Sequence, residues 1–306
     1  MSAWPLVLAL LALLAGGCQY MPHAYEPRSP PIPDARTIPL SSGAILAFTR
    51  VGSGTAVVFV HGSIADLRIW ASQAGPAFKA YQLVAYSRRY HYPNAWNGNG
   101  SDYTDATHDA DLFALIRELQ LGRVHLVGHG AGGRLALEVA LAHPEVVRSL
   151  TLVEPFTPSV AAGRPGFERL AGQQDSVWAS METALRADDA DRAAKTLFDW
   201  ENQNAGAYDA LPPAFRGEIQ DNARTLPFQL EHRGTELTCA QIGALAAPLL
   251  VVTGARSNVF FGQVADAVAG CVPGARRETI PNAAHVVQRE NPDAFNAALV
   301  GFLATH

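Results

Sequence analysis

Four short stretches of this sequence put chemically capable residues where a folded chain can present them. His285 closes the run Asn282-Ala283-Ala284-His285, just beyond a strand-like segment that ends at Ile280. Glu154 ends another apolar segment, beside Pro155. A carboxylate at a sheet edge can hold an imidazole ring and fix the tautomer that leaves the other nitrogen free as a general base. The third stretch, Val124-His125-Leu126-Val127-Gly128-His129-Gly130-Ala131-Gly132-Gly133, is an apolar run that breaks into glycines and continues as a helix. The fourth, His61-Gly62-Ser63, follows an apolar, β-branched run. No metal-ligand spacing, phosphate-binding loop or cofactor fingerprint accompanies them. The sequence therefore points to chemistry done by side chains and backbone alone, with no cofactor and no metal.

Positioning these groups requires an alternation of strands and helices. Segments 37–40 and 44–51 read as strands joined by a Ser42-Gly43 turn. Segments 56–60, 82–86, 124–127, 150–153 and 249–253 are short and apolar without strict alternation, as expected of strands buried on both faces, and 276–280 reads as the last strand. Between them lie helical patterns at 109–119, 132–141, 259–269 and 292–303, the last with Pro292 in its first turn. The alternation predicts an α/β fold with a mostly parallel sheet and helices on both faces. Open sheets of this kind place ligands at the carboxyl ends of their strands, where all four stretches fall. The region 157–246 breaks the alternation. Helical pieces at 167–170, 176–185 and 189–200 predict an inserted helical lid, with a core of 36–156 and 247–306 around it. Trp178, Met181, Leu197, Phe198 and Trp200 supply its apolar bulk, as lid core or as substrate wall.

From about Thr37 to the C-terminus the chain resembles the α/β-hydrolase superfamily. Residues 124–133 match its nucleophile elbow, normally Gly-x-Ser-x-Gly, except that Gly130 stands where the serine belongs. A glycine there forms no acyl-enzyme, yet suits a bend that strains any residue with a Cβ. The resemblance implies that the backbone N–H groups of Ser63 and Ala131 form an oxyanion hole, which the missing hydroxyl leaves in place. It implies His285 as the catalytic base. The family's usual acid follows the strand at 249–253, but Gly254-Ala255-Arg256-Ser257 offers no carboxylate. Glu154, a position some members use, is the expected acid; the alternative is an exposed loop residue. The Ser63 hydroxyl is a secondary candidate nucleophile. The run Ser87-Arg88-Arg89-Tyr90-His91-Tyr92-Pro93 replaces the family's Asp-x-Arg-Gly-x-Gly segment, as a pocket rim or as an ordered surface loop.

The N-terminus carries a different message. An apolar run at 6–15, too short to span a bilayer, leads into Ala15-Gly16-Gly17-Cys18 and resembles a bacterial lipoprotein signal in which Cys18 is lipidated. Residues 1–18 are the expected signal segment. Residues 19–35, with five prolines, are the expected stiff tether. The expectation is a protein of the bacterial cell envelope, held to the membrane by its lipid; a plain secreted protein and a membrane-anchored helix are the alternatives. Export would permit a disulfide between Cys239 and Cys271; the alternative is two buried thiols. A net charge of −5 without a basic patch argues against a nucleic-acid partner. The expected partner is a small-molecule substrate or ligand, and the sequence assigns no oligomeric state.

Three functions fit. The first is an esterase-like protein, acting on or binding a small apolar ester-like molecule, with covalent acyl transfer disabled at Gly130. The second is a non-covalent enzyme using His285 and Glu154 as a general base, for water attack, a lyase or an isomerase. The third is a ligand-binding pseudo-hydrolase without turnover.

Overall fold

The computed structural model describes residues 28–96 and 99–306. Cys18, the signal segment and residues 19–27 of the tether lie outside the described residues. The described end of the tether lies against the folded body: the Arg28 amide donates to Asp221 Oδ1 at 2.7 Å, and the Tyr92 hydroxyl donates to the Pro30 carbonyl at 2.9 Å.

Eight strands form one sheet. They are β1 (Arg36–Pro39), β2 (Ile45–Gly52), β3 (Thr55–Val60), β4 (Tyr81–Tyr86), β5 (Val124–His129), β6 (Val147–Val153), β7 (Leu249–Gly254) and β8 (Arg276–Ile280), in spatial order β1-β2-β4-β3-β5-β6-β7-β8. β1 and β2 pair antiparallel, β2 joins β4 antiparallel, and every later pairing is parallel. This is the expected α/β architecture. The period of two along each strand splits the core into two layers. Val58 and Val60 face the layer that holds Leu112, Leu135 and Val264, whereas Val57 and Phe59 face Trp70, Phe295 and Leu299 on the other side.

Among the described residues ten α-helices flank or cap the sheet: α1 (Asp105–Glu118), α2 (Ala131–Ala142), α3 (Phe167–Arg186), α4 (Ala190–Glu201), α5 (Pro213–Ala223), α6 (Leu226–Glu231), α7 (Cys239–Gly243), α8 (Val259–Cys271), α9 (Val287–Glu290) and α10 (Pro292–Leu303). α1 begins four residues earlier than its apolar pattern suggested, because the Thr104 side chain caps it by accepting from the Thr107 amide. The two helical pieces read at 167–170 and 176–185 are one 20-residue helix. Gly172 and the polar residues after it continue the helix, and the Ser176 hydroxyl bonds back to the Gly172 carbonyl at 2.9 Å. Helices α3 to α7 fill the interval between β6 and β7. Asn258 joins that layer to the core: its side chain accepts from the Phe260 amide to cap α8 and donates to the Trp200 carbonyl near the end of α4.

Cys239 and Cys271 are bonded, with Cα atoms 5.2 Å apart, so the bridge ties the start of α7 to the end of α8. It closes a loop across a separation of 32 residues. A loop of that length implies about 4 kcal/mol of stabilisation, through restriction of the unfolded chain. Replacing both cysteines by alanine should lower the unfolding free energy by roughly that amount in urea titrations; an unchanged midpoint would show that the bridge contributes nothing.

Candidate active site

The glycine bend between β5 and α2 is fixed by close approach. A Cβ on Gly128 would lie 2.3 Å from the Gly132 carbonyl oxygen, and one on Gly132 would lie 2.3 Å from the His61 carbonyl oxygen, so neither position admits a side chain. Gly130, at the apex, has φ +55° and ψ −121°. Its amide donates to the Val153 carbonyl at 2.9 Å, and its carbonyl accepts from the Phe156 amide at 3.1 Å, which hold the bend against β6. A Cβ at 130 would meet His285 Nε2 at 3.7 Å and Gly62 Cα at 3.9 Å, both ordinary contacts. The apex therefore points at the imidazole and has room for a side chain.

His285 is buried, and its Nδ1 lies 3.3 Å from Glu154 Oε2. Glu154 is wholly buried, which removes the exposed-loop alternative. Its Oε1 accepts from the Ser257 hydroxyl at 2.6 Å and the Gly254 amide at 2.8 Å. Residues 254–257, which lack a carboxylate of their own, thus hold the one supplied by β6. Burial pushes the Glu154 carboxyl upward, against the pull of these two donors, and lowers His285 to about 3. The ring is neutral, and with Nδ1 turned to the Glu154 carboxyl it leaves Nε2 facing the apex of the bend. Phe261 stacks 4.3 Å from the ring, and His129 Nε2 meets the His285 carbonyl at 2.9 Å.

Ser63 and Ala131 both line the cavity beside Gly130 and His285. Among the described residues neither amide donates to an acceptor, so two backbone N–H groups stand free where a developing oxyanion could sit. The Ser63 hydroxyl makes no hydrogen bond with His285. The cavity leaves about 80 Å³ free for water-sized occupants. Trp178, Met181, Leu197 and Trp200 belong to its wall, while Phe198 packs elsewhere in the lid. Ser87, Arg88, Tyr90, His91 and Tyr92 are buried, so this run is not a surface loop; Arg88 reaches the cavity.

Glu201 and His108 are among the cavity residues that the sequence reading did not single out, whereas Arg88 belongs to the run read as a pocket rim. Glu201 ends α4, is 8% exposed, and places Oε1 3.7 Å from His285 Nε2. The imidazole is therefore flanked by carboxyl groups on both nitrogens, one from β6 and one from the lid. Burial, and then the nearby Glu154, raise the Glu201 carboxyl to about 8. Its only sequence signal is a carboxylate within the apolar end of a helix, directly after Trp200.

A family model described as the alpha/beta hydrolase fold matches residues 55–292. An esterase from Exiguobacterium antarcticum superposes with a TM-score of 0.73 at 19% identity, over 88% of this chain and 98% of that one. The enol-lactonase from Burkholderia xenovorans LB400 gives 0.69 at 19% identity, over 88% and 100%. In sequence, a protein of Bacillus subtilis (strain 168), provisionally named 2-succinyl-6-hydroxy-2,4-cyclohexadiene-1-carboxylate synthase, is 27% identical over 216 residues, 68% of this chain and 75% of that protein.

The raised Glu201 has a measurable consequence. Between its ordinary value of 4.5 and about 8 the folded protein keeps a proton that the unfolded chain releases. Its contribution is full below pH 4.5 and is lost as pH rises through about 8. Glu201→Gln, which resembles the protonated form, should match the parent near pH 4.5 and exceed it by at least about 1 kcal/mol above pH 8 in chemical denaturation. A pH-independent difference would refute a buried, neutral Glu201.

Proposed function

The chain belongs to the α/β-hydrolase fold family, and on that footing we propose that its site holds a small ester-like molecule with the covalent acyl-transfer step removed at Gly130. The observation that carries this reading is the apex of the bend. A side chain at 130 would face the Nε2 of His285, and glycine supplies none. The carbonyl oxygen of the bound molecule sits against the Ser63 and Ala131 amides. Glu154 orients His285, but the imidazole has no hydroxyl to deprotonate, so no acyl-enzyme forms.

The test is to restore the missing group. Gly130→Ser should hydrolyse neutral short-chain aryl esters and react with a phosphonate probe, and His285→Ala in that background should abolish both. A side chain at φ +55° is strained, so the variant should be less stable than the parent by about 1–2 kcal/mol. A folded Gly130→Ser protein inert to esters and phosphonate would defeat the reading.

Glu201 favours a second reading, non-covalent turnover. Nε2 takes a proton from a water whose oxygen bonds to the carbonyl carbon, and the carbonyl electron pair moves onto the oxyanion. Collapse expels the alkoxide, which takes its proton from the imidazolium or from the Glu201 carboxyl. Ester hydrolysis by the parent protein, lost in His285→Ala, distinguishes this from the first reading. Ligand binding with no turnover in either protein leaves the pocket as a binding site.

We also propose that the protein is lipidated at Cys18 and held at the cell envelope. The Cys239–Cys271 bond supports an oxidising compartment, and no helix among the described residues is long and apolar enough to cross a membrane. Metabolic labelling with palmitate should mark the parent and not Cys18→Ala, and the variant should leave the membrane fraction. Equal labelling or equal retention would count against the anchor.

A further inference from the structure

Arg88 and His108 are both buried, each 4% exposed, and both line the cavity that holds His285. Among the described residues no carboxylate lies within 4 Å of Arg88, whereas Arg134, the other buried arginine, is matched by Asp105 and Glu138. The Arg88 Nη2 donates to the Gly62 carbonyl at 2.9 Å, and the guanidinium lies near the Tyr103 hydroxyl. Its Nε has no partner, and neither ring nitrogen of His108 has one. The His108 ring packs edge-on to Tyr103 with centroids 4.5 Å apart, so both side chains meet at the same tyrosine. Three unpaired polar atoms and an unneutralised charge in one buried corner are costly to leave unmatched.

We infer that Arg88 and His108 form a subsite for a carboxylate carried by the small molecule that the cavity takes. This rests on the proposal that the cavity holds a ligand, and it names that ligand's charge. A carboxylate is acceptor-only, with two oxygens that can receive an arginine N–H and an imidazole N–H together. Its single charge balances the single unmatched guanidinium; a phosphate dianion would leave one charge uncompensated. Through Gly62 the subsite adjoins Ser63, so the carboxylate lies close to the carbonyl held at the free amides. The apolar walls beyond, Trp178, Met181 and Leu197, accept the rest of the molecule.

Calorimetric titration of the parent protein tests this. Monomethyl glutarate, with one carboxylate, should bind at least about 10-fold more tightly than dimethyl glutarate. Arg88→Gln should bring the two ligands within about twofold of each other, and Arg88→Lys should restore part of the preference. The ratio is read within each protein, so a loss of folded fraction cancels. His108→Leu removes two nitrogens that bond to nothing in the structure, so its melting temperature should equal or exceed the parent's while the preference falls about threefold or more. Equal affinity for the two esters, binding of neither, or a preference for phenyl phosphate over monomethyl glutarate would overturn the proposal. Activity of Gly130→Ser is scored on neutral esters and needs no carboxylate, so failure there is separable from failure here.

Discussion

Where β5 meets α2, the backbone of residues 128–133 passes so close to itself and to the turn at His61 that two positions exclude any Cβ, and the residue between them is held at positive φ. This contact sets the rest of the site. It aims the apex at His285, starts α2 with a free amide at Ala131, and brings the His61-Gly62-Ser63 turn alongside. None of these consequences uses a side chain at 130. A serine hydroxyl can therefore be absent while the amides, the base and its carboxylate keep their places, because main-chain geometry fixes them. Glycine also relieves the strain that the apex imposes on other residues.

The second organising fact is how much charge this fold buries beside one imidazole. Glu154 is secured by two donors and reads as a structural partner of His285. Among the described residues Glu201 accepts no hydrogen bond, and burial raises both carboxyls, Glu154 and Glu201, to about 8. Among the described residues no acid lies in ion-pair contact with Arg88, whereas Arg134 has two. A site built only to pack would be more stable with apolar residues at these places.

The fold was legible because its signals are local and repeated. All eight strand segments correspond to observed strands within a few residues, and the glycine run at 128–133 needs no tertiary information to read as a bend. The proximity of Glu154 and His285 could be argued only by elimination, from the absence of a carboxylate at 254–257. Glu201 and His108 were opaque for a shared reason. Each gains its meaning from a cavity assembled by segments far apart in the chain, and no spacing within one segment announces it. Boundary errors were local: the Thr104 cap starts α1 earlier than its apolar pattern, and α3 runs through a glycine and polar residues that looked like a break.

Asn258 makes a mechanical statement about the lid. One amide group caps α8 and grips the carbonyl next to Glu201, so the end of α4 is riveted to the sheet domain. Lifting that end would undo the start of α8 as well.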